Sequence, residues 1–302
     1  MTPLGAACTM TSMAEPGIAD ASLLIDRTDR EPTLTIRPAQ GWRALNLREL
    51  WAYRELIYIF AWRDLKIRYR QTFLGVLWVI GQPLITMILF TVIFNRVARI
   101  HPDAPVPYDV FVLAGLLIWN FFSSSAARAG NSLVGVSYLI SKVYFPRLVI
   151  PLSGLLVDLV DLVVSALLLL IVMLREGVGV GFSALALPGI LLAGIILTAG
   201  CGLWLAALNV EYRDVRVLVP FLLQLGLYAT PVAYPLAMLP PRLQRLALIN
   251  PMTGVVEAFR ACLFGTPFPS APFLWSVTAA AMLLLSGLYY FRRIERLFAD
   301  LI

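Results

Sequence analysis

Six stretches of this sequence are each long and apolar enough to cross a lipid bilayer, and no other feature restricts the fold as much. They run from about Leu74 to Val97, Val110 to Val134, Leu148 to Leu174, Leu185 to Leu208, Val215 to Tyr234 and Phe273 to Phe291. A bilayer core takes a helix of roughly 20 mostly apolar residues. It holds no water, so each backbone N–H and C=O must find its partner inside the protein, which a helix provides. The expected fold class is therefore all-α integral membrane, with six transmembrane helices. Composition agrees, since 60% of the 302 residues are hydrophobic and only 14% are charged. A soluble chain of this size carries about a quarter charged residues.

The net charge of +6 would suggest nucleic acid as a partner of a soluble protein. Here most basic residues flank the apolar stretches, where they orient the chain and meet anionic membrane lipids; no nucleic acid is expected. Arg54, Arg63, Lys66, Arg68 and Arg70 precede the first stretch. Lys142 and Arg147 separate the second from the third, Arg213 and Arg216 the fourth from the fifth, and Arg292, Arg293 and Arg296 follow the sixth. The alternate connections carry Arg96 and Arg99, then Arg175, then Arg242, Arg245 and Arg260 spread over a long segment. The bias places both termini in the cytoplasm, with Arg96 and Arg99 against the rule but able to snorkel from a helix end.

Three segments fall outside the spans. Residues 1–40 are polar and lack the apolar run of a secretory signal, so they are expected to be a flexible cytoplasmic tail ahead of a transmembrane domain covering 41–302. Residues 47–71 are too charged to span. At helical spacing Leu50, Trp51, Tyr53, Ile57, Tyr58, Phe60, Ala61, Leu65 and Tyr69 share one side, with Arg48, Glu55, Arg63, Lys66 and Arg70 on the other. Ile59, Arg54, Asp64 and Arg68 break that pattern. The segment reads as an interfacial amphipathic helix; a soluble helix packed on the cytoplasmic loops is the plainer alternative. Finally, Pro235 to Pro269 is too long for a turn, partly amphipathic and split by Asn250-Pro251, which suggests two short re-entrant helices before the last span.

The chemistry of a membrane enzyme is missing. A P-loop needs Gly-Lys-Ser/Thr, yet the two lysines, Lys66 and Lys142, follow Leu65 and Ser141. There is no Gly-x-Ser-x-Gly elbow and no His-Glu-x-x-His helix. The single histidine, His101, lies in a Pro-rich turn without ligand neighbours. Cys8, Cys201 and Cys262 are far apart and form no metal or disulfide pattern. No catalytic residue, no metal and no cofactor is expected in this chain.

Asp158 and Asp161 lie inside the third stretch, three residues apart and so on one helical face. Charges in a membrane core mark a function or a buried pairing. One reading is a proton or cation site. The other is packing against polar groups such as Ser165, and it is the plainer one because no basic residue is expected in the spans to complete a relay. Gln82-Pro83 interrupts the first stretch, giving either a flexible pore-lining helix or a static kink. Ser141 to Arg147 mixes aromatic and basic residues and ends in Pro146-Arg147. It suits a short helix docking on a soluble partner, or an interfacial loop with ordinary anchors.

These pieces, in order, resemble the ABC-2 type permeases of bacterial polysaccharide export, most closely the O-antigen and lipopolysaccharide group. The resemblance runs from about Gly41 to Ile302. It rests on Arg54-Glu55-Leu56, Trp62-Arg63-Asp64 through Arg68-Tyr69 to Leu74-Gly75, and Gln82-Pro83-Leu84. It continues through Lys142-Val143-Tyr144-Phe145-Pro146-Arg147, Ala207-Leu208-Asn209-Val210, Tyr212-Arg213-Asp214 and Pro220-Phe221. It closes with Thr230-Pro231-Val232, Tyr234-Pro235, Asn250-Pro251, Glu257, Phe259-Arg260, Glu295 and Phe298-Ala299-Asp300. Residues 1–40 align with nothing in the family.

The resemblance implies a homodimer of six-helix permeases in the bacterial inner membrane, joined to two ATP-binding-cassette ATPase subunits that hold ATP and Mg. It implies that Lys142, Val143, Tyr144, Phe145, Pro146 and Arg147 form part of the ATPase coupling contact, with the amphipathic helix beside them. Asn250 to Leu263, with Glu257 and Arg260, corresponds to re-entrant helices at the periplasmic exit, and the first and fifth spans line the path. Tyr212, Arg213 and Asp214 form a cytoplasmic loop motif. The cargo implied is a lipid-linked glycan. Arg63, Lys66, Arg68 and Arg70 are placed to meet its pyrophosphate, since guanidinium groups pair with phosphate oxygens. Aromatic faces suit sugars, so Trp78, Phe90, Tyr228 and Tyr234 are pore-lining candidates; for any one of them a lipid-facing or core position is the plain alternative.

Three rival readings stand beside this one. An exporter of a drug or small lipid usually lacks this motif order. A membrane glycosyltransferase needs acidic or metal-binding residues in its long loop, where Pro235 to Pro269 offers only Glu257. A proton-coupled carrier would be built on Asp158 and Asp161.

Overall fold

A computed structural model describes residues 51–70, 75–102, 104–136, 145–212 and 214–295. Every described element is helical, and the order follows the apolar stretches. Helix α1 spans Arg54–Arg70. Helix α2, Gly75–Phe90, runs on into a π-helical segment, Thr91–Val97. Next come α3 at Tyr108–Gly135 and α4 at Val149–Arg175. A 3₁₀ turn at Phe182–Ala186 leads into α5 at Leu187–Glu211. Helix α6 is Val215–Ala229, α7 is Pro241–Ile249, α8 is Pro251–Phe264 and α9 is Ser270–Ile294.

Among the described residues, five helical segments are long and apolar enough to cross a membrane: Trp78–Val97, α3, α4, Ser183–Glu211 and α9. The fifth expected span is shorter than its apolar run. Helix α6 has 15 residues, so it extends about 22 Å against a hydrocarbon core of roughly 30 Å. Its end is set by Thr230-Pro231. Pro excludes the helical region for the residue before it, and Thr230 is extended, at φ −90° and ψ 139°. Residues 230–235 continue as irregular chain instead of helix.

Helices α7 and α8 meet at a 101° bend. Asn250 closes α7 and caps α8, its side-chain oxygen accepting the Met252 N–H at 3.0 Å. Pro251 at the first helical position has no N–H to satisfy. Gly265, at φ 69°, ends α8 in the left-handed conformation that glycine adopts without cost.

Among the five candidate spans, α3 is the most deeply buried and lies at the centre of the bundle. It packs on α4 and α5, while α9 covers the other side of α5. Small residues set the closest approach. A Cβ on Gly200 of α5 would stand 2.6 Å from the backbone N of Leu284 on α9, and one on Gly287 would stand 2.9 Å from the Gly200 carbonyl. Backbones approach this closely only without side chains between them. A Cβ on Gly226 would come 2.6 Å from the Trp119 ring, so the α3–α6 contact needs its glycine too.

Helix α1 packs chiefly along α4. Tyr53, Leu56, Ile57 and Phe60 cover a core of Leu133, Phe145, Leu148, Val149 and Ile150. Tyr58, Ile59, Trp62 and Ile67 are exposed. The packed face therefore differs from the one periodicity indicates: Tyr58 turns outward, whereas Asp64 and Arg68, which break the apolar pattern, face the bundle in part. The reason is electrostatic: Arg68 meets carboxylates on α4, and Asp64 lines a small cavity together with the basic Arg128.

Candidate functional site

Asp158 and Asp161 share a face of α4, and that face meets two arginines. The expectation that the spans lack a basic residue is corrected by Arg128, which lies in the polar second half of α3. Its Nε donates to Asp158 Oδ2 at 3.0 Å and its Nη2 to Oδ1 at 3.1 Å. Asp158 is completely buried. Gly154 makes room for the arginine stem, since a Cβ there would be 2.9 Å from Arg128 Cδ. From α1, Arg68 Nη1 lies 2.6 Å from Asp161 Oδ2 and 3.6 Å from Asp158 Oδ1. The Tyr69 hydroxyl donates to Asp161 Oδ1 at 2.7 Å. Burial, and then this hydrogen bond, push the Tyr69 phenol up to about 12, so it remains a proton donor throughout the neutral range.

Two positive and two negative charges thus form a neutral cluster joining α1, α3 and α4. A buried charge is tolerated when it is paired and hydrogen-bonded, and both conditions are met at Asp158. The cluster borders a cavity of about 310 Å³. Arg68, Asp161 and Ser165 line it together with Gln82 and Pro83 of α2, Asn120, Ser123 and Ser124 of α3, and Leu223 of α6.

A second site forms where the irregular chain after α6 meets α8. Arg260 is 3% exposed. Its Nη1 donates to the Pro231 carbonyl at 2.6 Å, its Nη2 to the Val232 carbonyl and its Nε to the Phe111 carbonyl at 3.2 Å. Its guanidinium lies 3.7 Å from the centre of the Phe111 ring, and Glu257 is 3.5 Å away. The Tyr108 hydroxyl donates to the Ala233 carbonyl. Asn250 Nδ2 donates to Thr230 Oγ1 at 2.8 Å. Backbone that leaves the helix inside a membrane must be satisfied by neighbouring protein groups. Here Arg260 and Tyr108 satisfy its carbonyls, and Asn250 holds the Thr230 side chain. The motif pieces Thr230 to Tyr234, Asn250-Pro251, Glu257 and Arg260, scattered in sequence, come together as one anchored segment.

At the opposite end, Lys142, Val143 and Tyr144 lie outside the described residues, as do Arg213, residues 1–50 and 71–74, and the side chain of Arg70. Phe145 and Pro146 are buried, and Phe145 meets Phe60 of α1 edge-on at 5.9 Å. The Arg147 N–H donates to Glu295 Oε1 at 3.2 Å, and its guanidinium donates to the Glu295 carbonyl. The other carboxylate oxygen of Glu295 takes Arg292 at 2.8 Å. Helix α1, the start of α4 and the end of α9 are thereby tied at one point. Asn209 Nδ2 donates to the Gly130 carbonyl at 2.6 Å, linking α5 to α3 nearby. Tyr212 and Asp214 are exposed. On α1, Arg63 pairs with the adjacent Asp64 at 2.8 Å and Lys66 is exposed.

The four aromatic candidates divide. Phe90 is buried, with its ring centre 6.5 Å from that of Tyr228. Tyr234 donates its hydroxyl to the Tyr228 carbonyl at 2.8 Å. Trp78 is exposed, three turns before Phe90 on α2, and is not part of this group. Sequence reasoning missed Arg128, Tyr69 and Asn120 as members of a site. A lone arginine in the polar half of an otherwise apolar stretch was the signal available for the first.

The model of the ABC-2 type transporter family matches residues 55–264. The chain is 32% identical over 255 residues to the O-antigen export system permease protein RfbA of Myxococcus xanthus, covering 82% of this chain and 96% of that protein. A protein of the same name from Klebsiella pneumoniae is 29% identical over 208 residues, 68% of this chain and 79% of the relative. The polysialic acid transport protein KpsM of Escherichia coli is 30% identical over 202 residues, 66% of this chain and 77% of the relative.

Proposed function

The chain belongs to the ABC-2 type transporter family, and from that premise we propose that it is the permease subunit of a polysaccharide exporter. It carries a lipid-linked glycan from the cytoplasm across the bacterial inner membrane. The energy comes from ATP hydrolysed with Mg on a separate ATP-binding-cassette subunit, and the permease acts as a homodimer. One observation carries this reading. The similarity to an O-antigen export permease extends over 96% of that protein, so it covers the membrane path as a whole rather than one motif.

The geometry supports assigning roles. In the proposed arrangement α6 and the irregular segment 230–235 together make the fifth of six crossings, α7 and α8 re-enter from the periplasmic side, and both termini are cytoplasmic. The ATPase grips Lys142 to Arg147. Its motion passes through Phe145 and Phe60 into α1 and through Glu295 into α9, because those contacts join at one corner. The exposed Lys66 and Arg63 meet the pyrophosphate of the carrier lipid. Arg68 is committed to the aspartates of α4, so its part is to hold α1 in place. The exposed faces of α2 and α6, with Trp78 and Tyr228, line the path between two copies.

A deletion strain complemented in trans tests the proposal. Loss of the permease should leave glycan on the cytoplasmic face, and inverted membrane vesicles should pump labelled lipid-linked glycan inward only with ATP and the partner ATPase. Movement without the ATPase would overturn it.

A further inference from the structure

We infer that the cavity bounded by Gln82, Asn120, Asp161 and Ser165 is a binding site for one neutral sugar ring. The cavity holds about 310 Å³, at the lower end of ligand pockets. Its lining mixes apolar walls, Pro83, Phe121 and Leu162, with amide, hydroxyl and carboxylate groups. That mixture fits a ring with C–H faces and hydroxyl edges.

Three polar side chains have nothing else to do. Among the described residues the side chains of Gln82, Asn120 and Ser165 find no hydrogen-bond partner, although all three line one cavity. Each amide offers two donors and an acceptor oxygen, and the serine offers a hydroxyl. Pro83 adds to this, because it has no N–H to give the Val79 carbonyl one turn back, and Val79 also lines the cavity. In a bundle surrounded by lipid such groups require a polar occupant.

The charge state selects the occupant. Arg68 and Asp161, the charged members of the lining, already face each other at 2.6 Å. The site therefore presents no net charge and does not favour a phosphate or pyrophosphate. A sugar hydroxyl, which both donates and accepts, matches an amide pair beside a carboxylate oxygen. Gln82 is exposed on α2, and five helices contribute to the cavity wall. Its binding of sugar does not depend on the export reading; that the sugar belongs to the exported glycan does rest on it.

The test uses the full chain co-purified with its ATPase in nanodiscs. Methyl glycosides of glucose, galactose, mannose and rhamnose are titrated by saturation-transfer NMR, with inorganic pyrophosphate as the anionic probe. At least one glycoside should bind saturably, and Gln82→Leu/Asn120→Leu should weaken it tenfold or more. In a second measurement, Ser165→Cys should react with a small methanethiosulfonate reagent, and the same glycoside should protect it. No saturable glycoside binding, binding unchanged by the double substitution, an unprotected cysteine or preference for pyrophosphate would each overturn the inference. Export by the same complex, reconstituted separately into sealed vesicles, separates the two claims. ATP-driven export without glycoside binding sinks the cavity site alone, whereas glycoside binding without export sinks the export reading alone.

Discussion

Arg128 and Asp158 stand 30 positions apart on neighbouring helices and meet through two parallel hydrogen bonds of 3.0 and 3.1 Å. The fork of a guanidinium matches the two oxygens of a carboxylate, which makes this pairing stronger and more directional than a single contact. The carboxylate has no solvent-accessible surface. Removing one partner leaves the other charge buried, which is costlier than removing both. Arg128→Ala should therefore lower the stability of the detergent-solubilised chain by about 3–5 kcal/mol. Arg128→Met/Asp158→Leu should recover most of that loss. The midpoint of thermal unfolding reads both, and a single variant as stable as the parent chain would show that the pair does not brace the bundle.

Tyr69 ties α1 to the same cluster. Its phenol is raised from 10.0 to about 12, first by burial and then by its hydrogen bond to Asp161. The group bonds as a neutral donor, and its folded value lies above the unfolded one. Its contribution is therefore complete below pH 10 and is lost as pH rises through 12. Stability attributable to Tyr69 should be flat between pH 6 and 9, and Tyr69→Phe should remove about 0.5–1.5 kcal/mol across that range. A Tyr69→Phe deficit that changes between pH 6 and 9 would contradict this assignment.

How much of this was legible in the sequence depended on which physical signal each part leaves. Apolar length marks α2, α3, α4, α5 and α9 within a few residues, because burial in lipid demands it. The end of α6 was misplaced because hydropathy continues through Val232 and Tyr234 although Pro231 has already broken the helix. The α7–α8 bend was announced by Asn250-Pro251, a cap followed by a residue without N–H. The charge cluster was only half visible. Two aspartates on one face can be read from spacing, but their partners come from other helices, and no local pattern tells which arginine arrives. Arg68 breaks the amphipathic pattern, and spacing alone gives it no role. The convergence of Arg260 on Pro231 and Val232 is likewise a tertiary fact, since 28 or 29 residues separate donor and acceptors.

That convergence leads to a prediction about the irregular segment. Arg260 is fully enclosed, and three backbone carbonyls depend on its planar fork. Lysine keeps the charge but presents a point-like ammonium, so Arg260→Lys should fail nearly as badly as Arg260→Ala. Each unsatisfied buried carbonyl costs about 1–3 kcal/mol. Gly115→Ala should act on the same contact from the other side, because the added methyl collides with the guanidinium. Limited proteolysis between Thr230 and Tyr234 should rise in all three variants while the far end of the bundle stays protected. Uniform loss of protection over the whole chain would mean that Arg260 supports the entire fold rather than this segment.

Arg147 distinguishes two ways of transmitting force. Its N–H and guanidinium both hold Glu295, and Glu295 also takes Arg292. The residue thus fastens the start of α4 to the end of α9 whatever else it touches. If ATPase motion enters through this corner, loosening it from either side should have one consequence. Arg147→Glu, which sets a carboxylate against Glu295, should abolish export at least tenfold while the ATPase still hydrolyses ATP at its basal rate. Glu295→Ala should give the same uncoupling in milder form, although position 295 need not contact the ATPase at all. The informative quantity is the ratio of glycan moved to ATP hydrolysed in reconstituted vesicles. Were Arg147→Glu to uncouple and Glu295→Ala to keep the parental ratio, Arg147 would act by touching the ATPase directly, and the intramolecular fastening would be incidental. If both kept the parental ratio, the coupling path would have to run elsewhere on the chain.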